Sequence, residues 1–179
     1  INAKEQNPDL DITILEKGND VLQKVKISGG GRCNVTHACF EPKELVKFYP
    51  RGEKELLGPF HTFMTGDTFE WFDDRGVPLK IEDDNRVFPE ANTSQAIIDC
   101  FENAVDKLGI KVLKNHGVNS VEKENNQWKI NTKHETFTAD KLVIAAGSSN
   151  KVWELVTTLD HSIIEPVPSL FTFNIKDKR

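Results

Sequence analysis

Residues 11–34 read DITILEKGNDVLQKVKISGGGRCN. Ile12, Ile14 and Leu15 form a short apolar, β-rich run that stops at Glu16 and the breaker Gly18. Such a run, bounded by turn residues, predicts a buried strand with a carboxylate at its C-terminal end. Further on, Gly29, Gly30 and Gly31 are followed at once by Arg32, Cys33 and Asn34. Ordinary turns use one or two Gly, Asn or Pro residues. Three successive residues without Cβ atoms let the backbone converge on an anion or lie flat against a ring system. Arg32 adds a permanent cation, and Ser28, Asn34 and Thr36 supply donors suited to phosphate or carbonyl oxygens. The competing reading is a flexible loop with a solvated arginine. No GK[ST] follows the glycines, so the loop is not a P-loop.

Working outward, residues 1–10 read as the tail of a helix and a turn at Asn7-Pro8-Asp9. Three short helices are expected in EPKELVKFY, GEKELLGPFHTF and GDTFEWFDDRG, broken by Pro50, Gly52, Gly66 and Gly76. Asp83-Asp84-Asn85 predicts a hairpin turn between two short strands. A helix is expected over 93–108, with Asn92 and Gln95 as its capping box, Gly109 as its stop, and Ile97, Phe101, Val105 and Leu108 on one face. IKVLKN predicts a strand, and residues 117–138 a three-stranded antiparallel meander with turns at 124–126 and 133–135. KLVIAAGSS predicts a buried strand running into a small-residue turn at Ala145-Ala146-Gly147, followed by a helix over 151–159. The stretch 162–175 reads as extended, with Phe171, Phe173 and Ile175 on one face. Helix, strand, meander, strand and small-residue turn in this order make an α/β arrangement. A strand ending in Glu16 and another ending in Ala145-Ala146-Gly147 both suit the rim where α/β sheets bind ligands, and they are expected to be neighbours. There, a carboxylate in the place of Glu16 accepts hydrogen bonds from ribose hydroxyls; a solvated strand end is the alternative.

Composition narrows the classes. The 179 residues are 37% hydrophobic and 28% charged, with a formal charge of −5. That is a soluble globular profile, and the acidic balance does not indicate a nucleic-acid-coating surface, although nucleic acid stays open as a partner. No apolar run approaches the roughly 18–20 residues of a membrane span, so no membrane partner is expected. Cys33, Cys39 and Cys100, an odd number at irregular spacing, form no disulfide framework and point to a reducing, cytoplasmic setting. No His/Cys cluster has metal-ligand spacing, so no metal is expected. Cys33 and Cys39 are too far apart for the common dithiol motif, and His37 and His61 have no identifiable partner for acid–base work. The aromatics Phe60, Phe63, Phe69, Trp71 and Phe72 sit at helical spacings and read first as core.

The segments ILEKG, KVKISGGGRCNVTH, RVFPEANTSQAIIDCF, ADKLVIAAGSS and HSIIEPVPSLFTF together resemble the BaiN/RdsA-type NAD(P)/FAD-dependent oxidoreductase family. The resemblance runs through essentially the whole chain. It implies a partial Rossmann-like FAD-binding domain with a parallel sheet, a three-stranded meander over 117–138 and a helical and hairpin excursion over 41–90. It implies FAD as cofactor, NAD(P)H as reductant and a small-molecule or nucleobase substrate, with hydride passing between flavin and a conjugated double bond. Glu16 would hold the adenosine ribose, and Lys17 beside it would belong to the cofactor site. Ser28, Gly29, Gly30, Gly31, Arg32, Cys33 and Asn34 would lie against the flavin or the pyrophosphate, and Val118 would meet adenine. Ala145, Ala146 and Gly147 stand where the family has an Ala-Thr-Gly turn beside the cofactor. The family's first strand with its Gly-rich turn is expected before Ile1, and its substrate domain after Arg179. The catalytic residues and the oligomeric state are not legible. A truncated unit that binds no cofactor and serves as a folding or interaction module is the alternative.

Overall fold

The computed structural model describes residues 1–167. The chain divides into two compact units, Ile1–Asn115 and His116–Arg179. The first opens with helix α1 (Asn2–Gln6) and strand β1 (Thr13–Leu15). Helix α2 (Gln23–Ile27) leads into a 3-10 turn over Ser28–Gly31, and the two-residue strand β2 (Thr36–His37) follows. Helices α3 (Pro42–Leu45), α4 (Glu53–Phe60) and α5 (Thr65–Asp73) come next. Strands β3 (Leu79–Ile81) and β4 (Arg86–Pro89), helix α6 (Ser94–Lys107) and strand β5 (Lys111–Leu113) complete the unit.

β1 pairs in parallel with β5, Thr13 facing Lys111 and Leu15 facing Leu113. β3 and β4 are antiparallel around the predicted turn, where Asn85 takes a left-handed φ of 63°. β2 adds to the other side of β4, a pairing too short to leave a pattern in the sequence. Helix α6 is capped one residue later than expected. The N-cap is Thr93, whose hydroxyl accepts from Gln95 N at 3.2 Å. Asn92 cannot serve, because its φ of 57° turns it out of the extended geometry an N-cap needs. Gly109, at φ 64°, ends the helix as expected. Gly66 is a correction as well: it lies inside α5 instead of breaking it.

The core of this unit gathers Cys33, Phe72, Ile97 and Cys100, with Trp71, Leu79 and Phe101 packed against them. Of the predicted aromatic core, Phe72 is buried while Phe63 is exposed. Val87 and Phe88 of β4 are fully buried, so the hairpin is part of the core. Ser94 Oγ donates to Lys26 O at 2.9 Å and ties α6 to α2. These contacts fix both ends of the glycine loop.

The second unit is a meander of β6 (Val118–Glu124), β7 (Gln127–Thr132) and β8 (Thr136–Ala139), followed by helix α7 (Asn150–Thr157). β7 is central and antiparallel to both neighbours. Asn125 and Asn126, both at positive φ, make its first turn, the backbone that two-residue hairpins favour. Val121 and Ile130 bury one face.

The expected strand over 141–146 is absent. None of these residues pairs with another strand among the described residues. Val143 is 85% exposed and Ile144 is 42% exposed. β1 therefore has β5 beside it, and the expected pairing of β1 with 141–146 is not found. An apolar run becomes a strand only where another strand takes its N–H and C=O groups. Phe171, Phe173 and Ile175 lie outside the described residues.

Candidate cofactor site

The loop 28–34 is built from its own backbone outward. Gly29, Gly30 and Gly31 take φ of 55°, 67° and 85°, three successive left-handed residues that only glycine adopts at low cost. The amides of Arg32 and Cys33 both donate to Ser28 O, which closes the turn. Cys33, at φ 62°, is itself left-handed and is held there by burial in the core.

The three glycines differ in surroundings. A Cβ on Gly29 would lie 2.7 Å from Asn34 N and 2.9 Å from Phe88 Cε1, so protein already fills that space. A Cβ on Gly30 or Gly31 would meet nothing within 4 Å. The first glycine thus serves packing, and the next two present open backbone.

The hairpin grips the loop from behind. Val35 N donates to Val87 O at 2.8 Å. The Asn34 side chain faces β4, and with its amide nitrogen turned inward it donates to Val87 O and to Thr36 O at 3.0 Å. Arg32 stacks its guanidinium on Phe88, with Cζ 3.9 Å from the ring centroid. Its Nη1 donates to Glu82 Oε1 at 2.5 Å and to Asn92 Oδ1 at 3.3 Å, and Nη2 reaches Glu82 Oε2 at 3.4 Å. The hydrogen bond from Arg32, aided by the charges of Arg32, Arg86 and Lys80, holds the Glu82 carboxyl below the usual carboxylate range against the opposing effect of desolvation. The arginine is paired, not solvated. Neither Glu82 nor Phe88 is legible as its partner, because both lie far along the chain and no spacing rule ties them to Arg32.

Glu16 follows β1, as its sequence pattern implies, but the strand is not the buried one expected, since Thr13 and Ile14 are exposed. Its N–H donates to Leu113 O at 2.9 Å, and its Oε1 accepts from Gly18 N at 2.6 Å, capping the turn that leaves the strand. Lys17 beside it is exposed. These residues and the 28–34 loop belong to the first unit; Val118, Ala145, Ala146 and Gly147 belong to the second. In the second unit Val118 begins β6, next to an irregularity in its pairing. Ala145, Ala146 and Gly147 line an open groove of about 550 Å³ together with Trp128 and Trp153. Gly147, at φ 62°, makes the turn into α7.

Other candidates have local roles. His37 packs its ring 4.5 Å from Phe48, and its carbonyl accepts from Thr65 Oγ1 at 2.9 Å. His61 closes α4 and is exposed. Cys33, Cys39 and Cys100 are free thiols. Burial pushes the Cys100 thiol up, against opposing effects of Arg75 and Lys107. Among the described residues no group of three His, Cys, Asp or Glu side chains could hold a metal, and no helix is long and apolar enough to cross a membrane.

The loop leaves room for a flat ligand on one observation: at two adjacent left-handed glycines, Gly30 and Gly31, an added Cβ would meet no atom beyond the chain neighbours within 4 Å. Comparison with known proteins agrees with a nucleotide fold. The family model described as "HI0933-like protein Rossmann domain" matches residues 1–167. A 3-dehydro-bile acid delta(4,6)-reductase of Clostridium scindens is 21% identical over 184 residues, which cover 98% of this chain and 44% of the relative. A ribosomal RNA dihydrouridine synthase of Haemophilus influenzae is 24% identical, over 66% of this chain and 29% of its own length. Its counterpart in Escherichia coli is 25% identical, over 76% and 33%. The chain spans less than half the length of these relatives.

Proposed function

This chain belongs to the HI0933-like Rossmann-domain family, and from that premise we propose that it is the FAD-binding part of an oxidoreductase that reduces a conjugated carbon–carbon double bond with NAD(P)H as donor. The observation that carries the proposal is the open backbone at Gly30 and Gly31, fixed from behind by β4. A flat ring can lie on that backbone with no side chain between them. Glu16 has Oε1 committed to Gly18 N, so Oε2 is the oxygen that would accept a ribose hydroxyl. FAD, when bound, supplies the hydride chemistry, and these residues supply orientation and hydrogen bonds. The relatives' names support the reaction class, since a delta(4,6)-reductase and a dihydrouridine synthase both denote hydrogen added to a ring double bond.

The pairing of Arg32 with Glu82 favours a second reading, in which the fold is satisfied without cofactor and acts as a folding or interaction module. Gel filtration of the intact protein separates the two. A flavin absorption band that travels with the protein, and FAD released on denaturation, are expected. A colourless protein that takes up no added FAD would sink the flavin reading.

A further inference from the structure

We infer that Glu82 is the positioning residue of the glycine loop: it holds Arg32 on the Phe88 ring and cancels its charge, so that the loop faces its ligand with open backbone but no net positive charge. The inference rests on the FAD reading above and goes on to say which part of the ligand the loop takes.

Arg32 is tied by three different partners. Glu82 engages both Nη atoms, Asn92 takes a second hydrogen bond from Nη1, and Phe88 covers one face of the guanidinium. Glu82 also lies 3.9 Å from Arg86 Nη2, and Arg86 is itself paired with Asp84 at 2.6 Å. Two guanidinium groups thus meet two carboxylates, and the cluster sums to zero. Both partners of the main pair are about a third exposed, at 30% and 28%, and ion pairs of that exposure add little to stability. The consequence is geometric and electrostatic. With its guanidinium drawn back onto Phe88, the Arg32 side chain stays out of the space within 4 Å of the missing Gly30 Cβ. A ligand placed there meets open backbone, with the Arg32 charge already paired. A diphosphate, carrying full negative charge, gains most from an uncompensated cation. An uncharged flat ring gains nothing comparable from a cation and needs chiefly room. The loop therefore suits the ring end of a dinucleotide cofactor in preference to its diphosphate.

The test compares Glu82→Gln, Glu82→Asp and the double variant R32Q/E82Q in the intact protein. Two quantities are read: the affinity of flavin-free protein for inorganic pyrophosphate at low and high salt, and the midpoint potential of bound flavin. Glu82→Gln uncovers the Arg32 cation. It should bind pyrophosphate about fivefold more tightly at low salt, with the gain disappearing at high salt. Its flavin potential should rise, because a bare cation favours the anionic reduced ring. Both changes should vanish in R32Q/E82Q, and Glu82→Asp should lie between native and Gln. Unchanged affinity and potential in Glu82→Gln, or the same changes in the absence of Arg32, would overturn the inference. Should Glu82→Gln not fold, Glu82→Asp must still bind pyrophosphate more tightly than native, and equality overturns the inference. A native protein without flavin would instead defeat the FAD reading, leaving the pyrophosphate arm to judge Glu82.

Discussion

Gly29 and Gly30 are neighbours with opposite surroundings, and substitution separates them. Both are left-handed, so alanine at either position costs about 1 kcal/mol of backbone strain. Only at Gly29 does the new methyl strike backbone and a buried ring, and overpacking of that kind adds about 1–3 kcal/mol. Urea unfolding should therefore show Gly29→Ala well below Gly30→Ala in stability. Equal losses would mean that the loop is not packed on Phe88 as described. Glu82 gives a pH prediction. A carboxyl held below its usual range stabilises the fold above its unfolded value, and that contribution is lost as pH falls through the folded value. Asp84, lowered first by the backbone N–H of Arg86, has the same sign. Melting temperature should fall on acidification below about pH 4, and Glu82→Gln should flatten part of that fall. Identical pH slopes would remove Glu82 from the cause. Among the thiols, half-buried Cys39 should react with iodoacetamide before Cys33 and Cys100, which are 7% and 6% exposed; mass spectrometry of timed samples reads the order.

Elements announced by local chemistry were readable from sequence, and elements that depend on a distant partner were not. Asp83-Asp84-Asn85 and Asn125-Asn126 mark their hairpins because left-handed residues leave a residue-type trace. Gly109 marks the end of α6 for the same reason. β2 left no trace, since two residues cannot show a period of two. Arg32 carries a loop-facing charge on paper, yet its partner Glu82 lies on another element, and no spacing rule connects them. Residues 141–146 failed in the opposite sense: their apolar run is strong, but a strand needs a neighbour, and none is paired with them among the described residues. Hydrogen exchange of the 179-residue chain gives the direct check. Amides of 141–147 should exchange far faster than those of β7, whose two ladders protect it. Protection of 141–147 equal to that of β7 would show that the segment is paired after all.

At the scale of the molecule, the α/β class read from sequence stands, with helices, a short parallel pair in the first unit and a three-stranded antiparallel meander in the second, while the strand expected over 141–146 drops out of the order. The glycine loop belongs to the first unit and the Ala145–Gly147 turn to the second. The central claim is that the backbone at Gly30 seats the flavin of FAD. Its most direct measurement is the flavin content of the intact protein with Gly30 replaced by Ala and, separately, by Phe. Both variants bear the same left-handed strain, and neither new Cβ touches protein, so both should fold with similar melting temperatures. A phenyl ring, unlike a methyl group, fills the space the ligand needs. Gly30→Ala should keep most of its flavin, and Gly30→Phe should lose nearly all of it while remaining folded. A folded Gly30→Phe protein that binds FAD as tightly as native would contradict the claim.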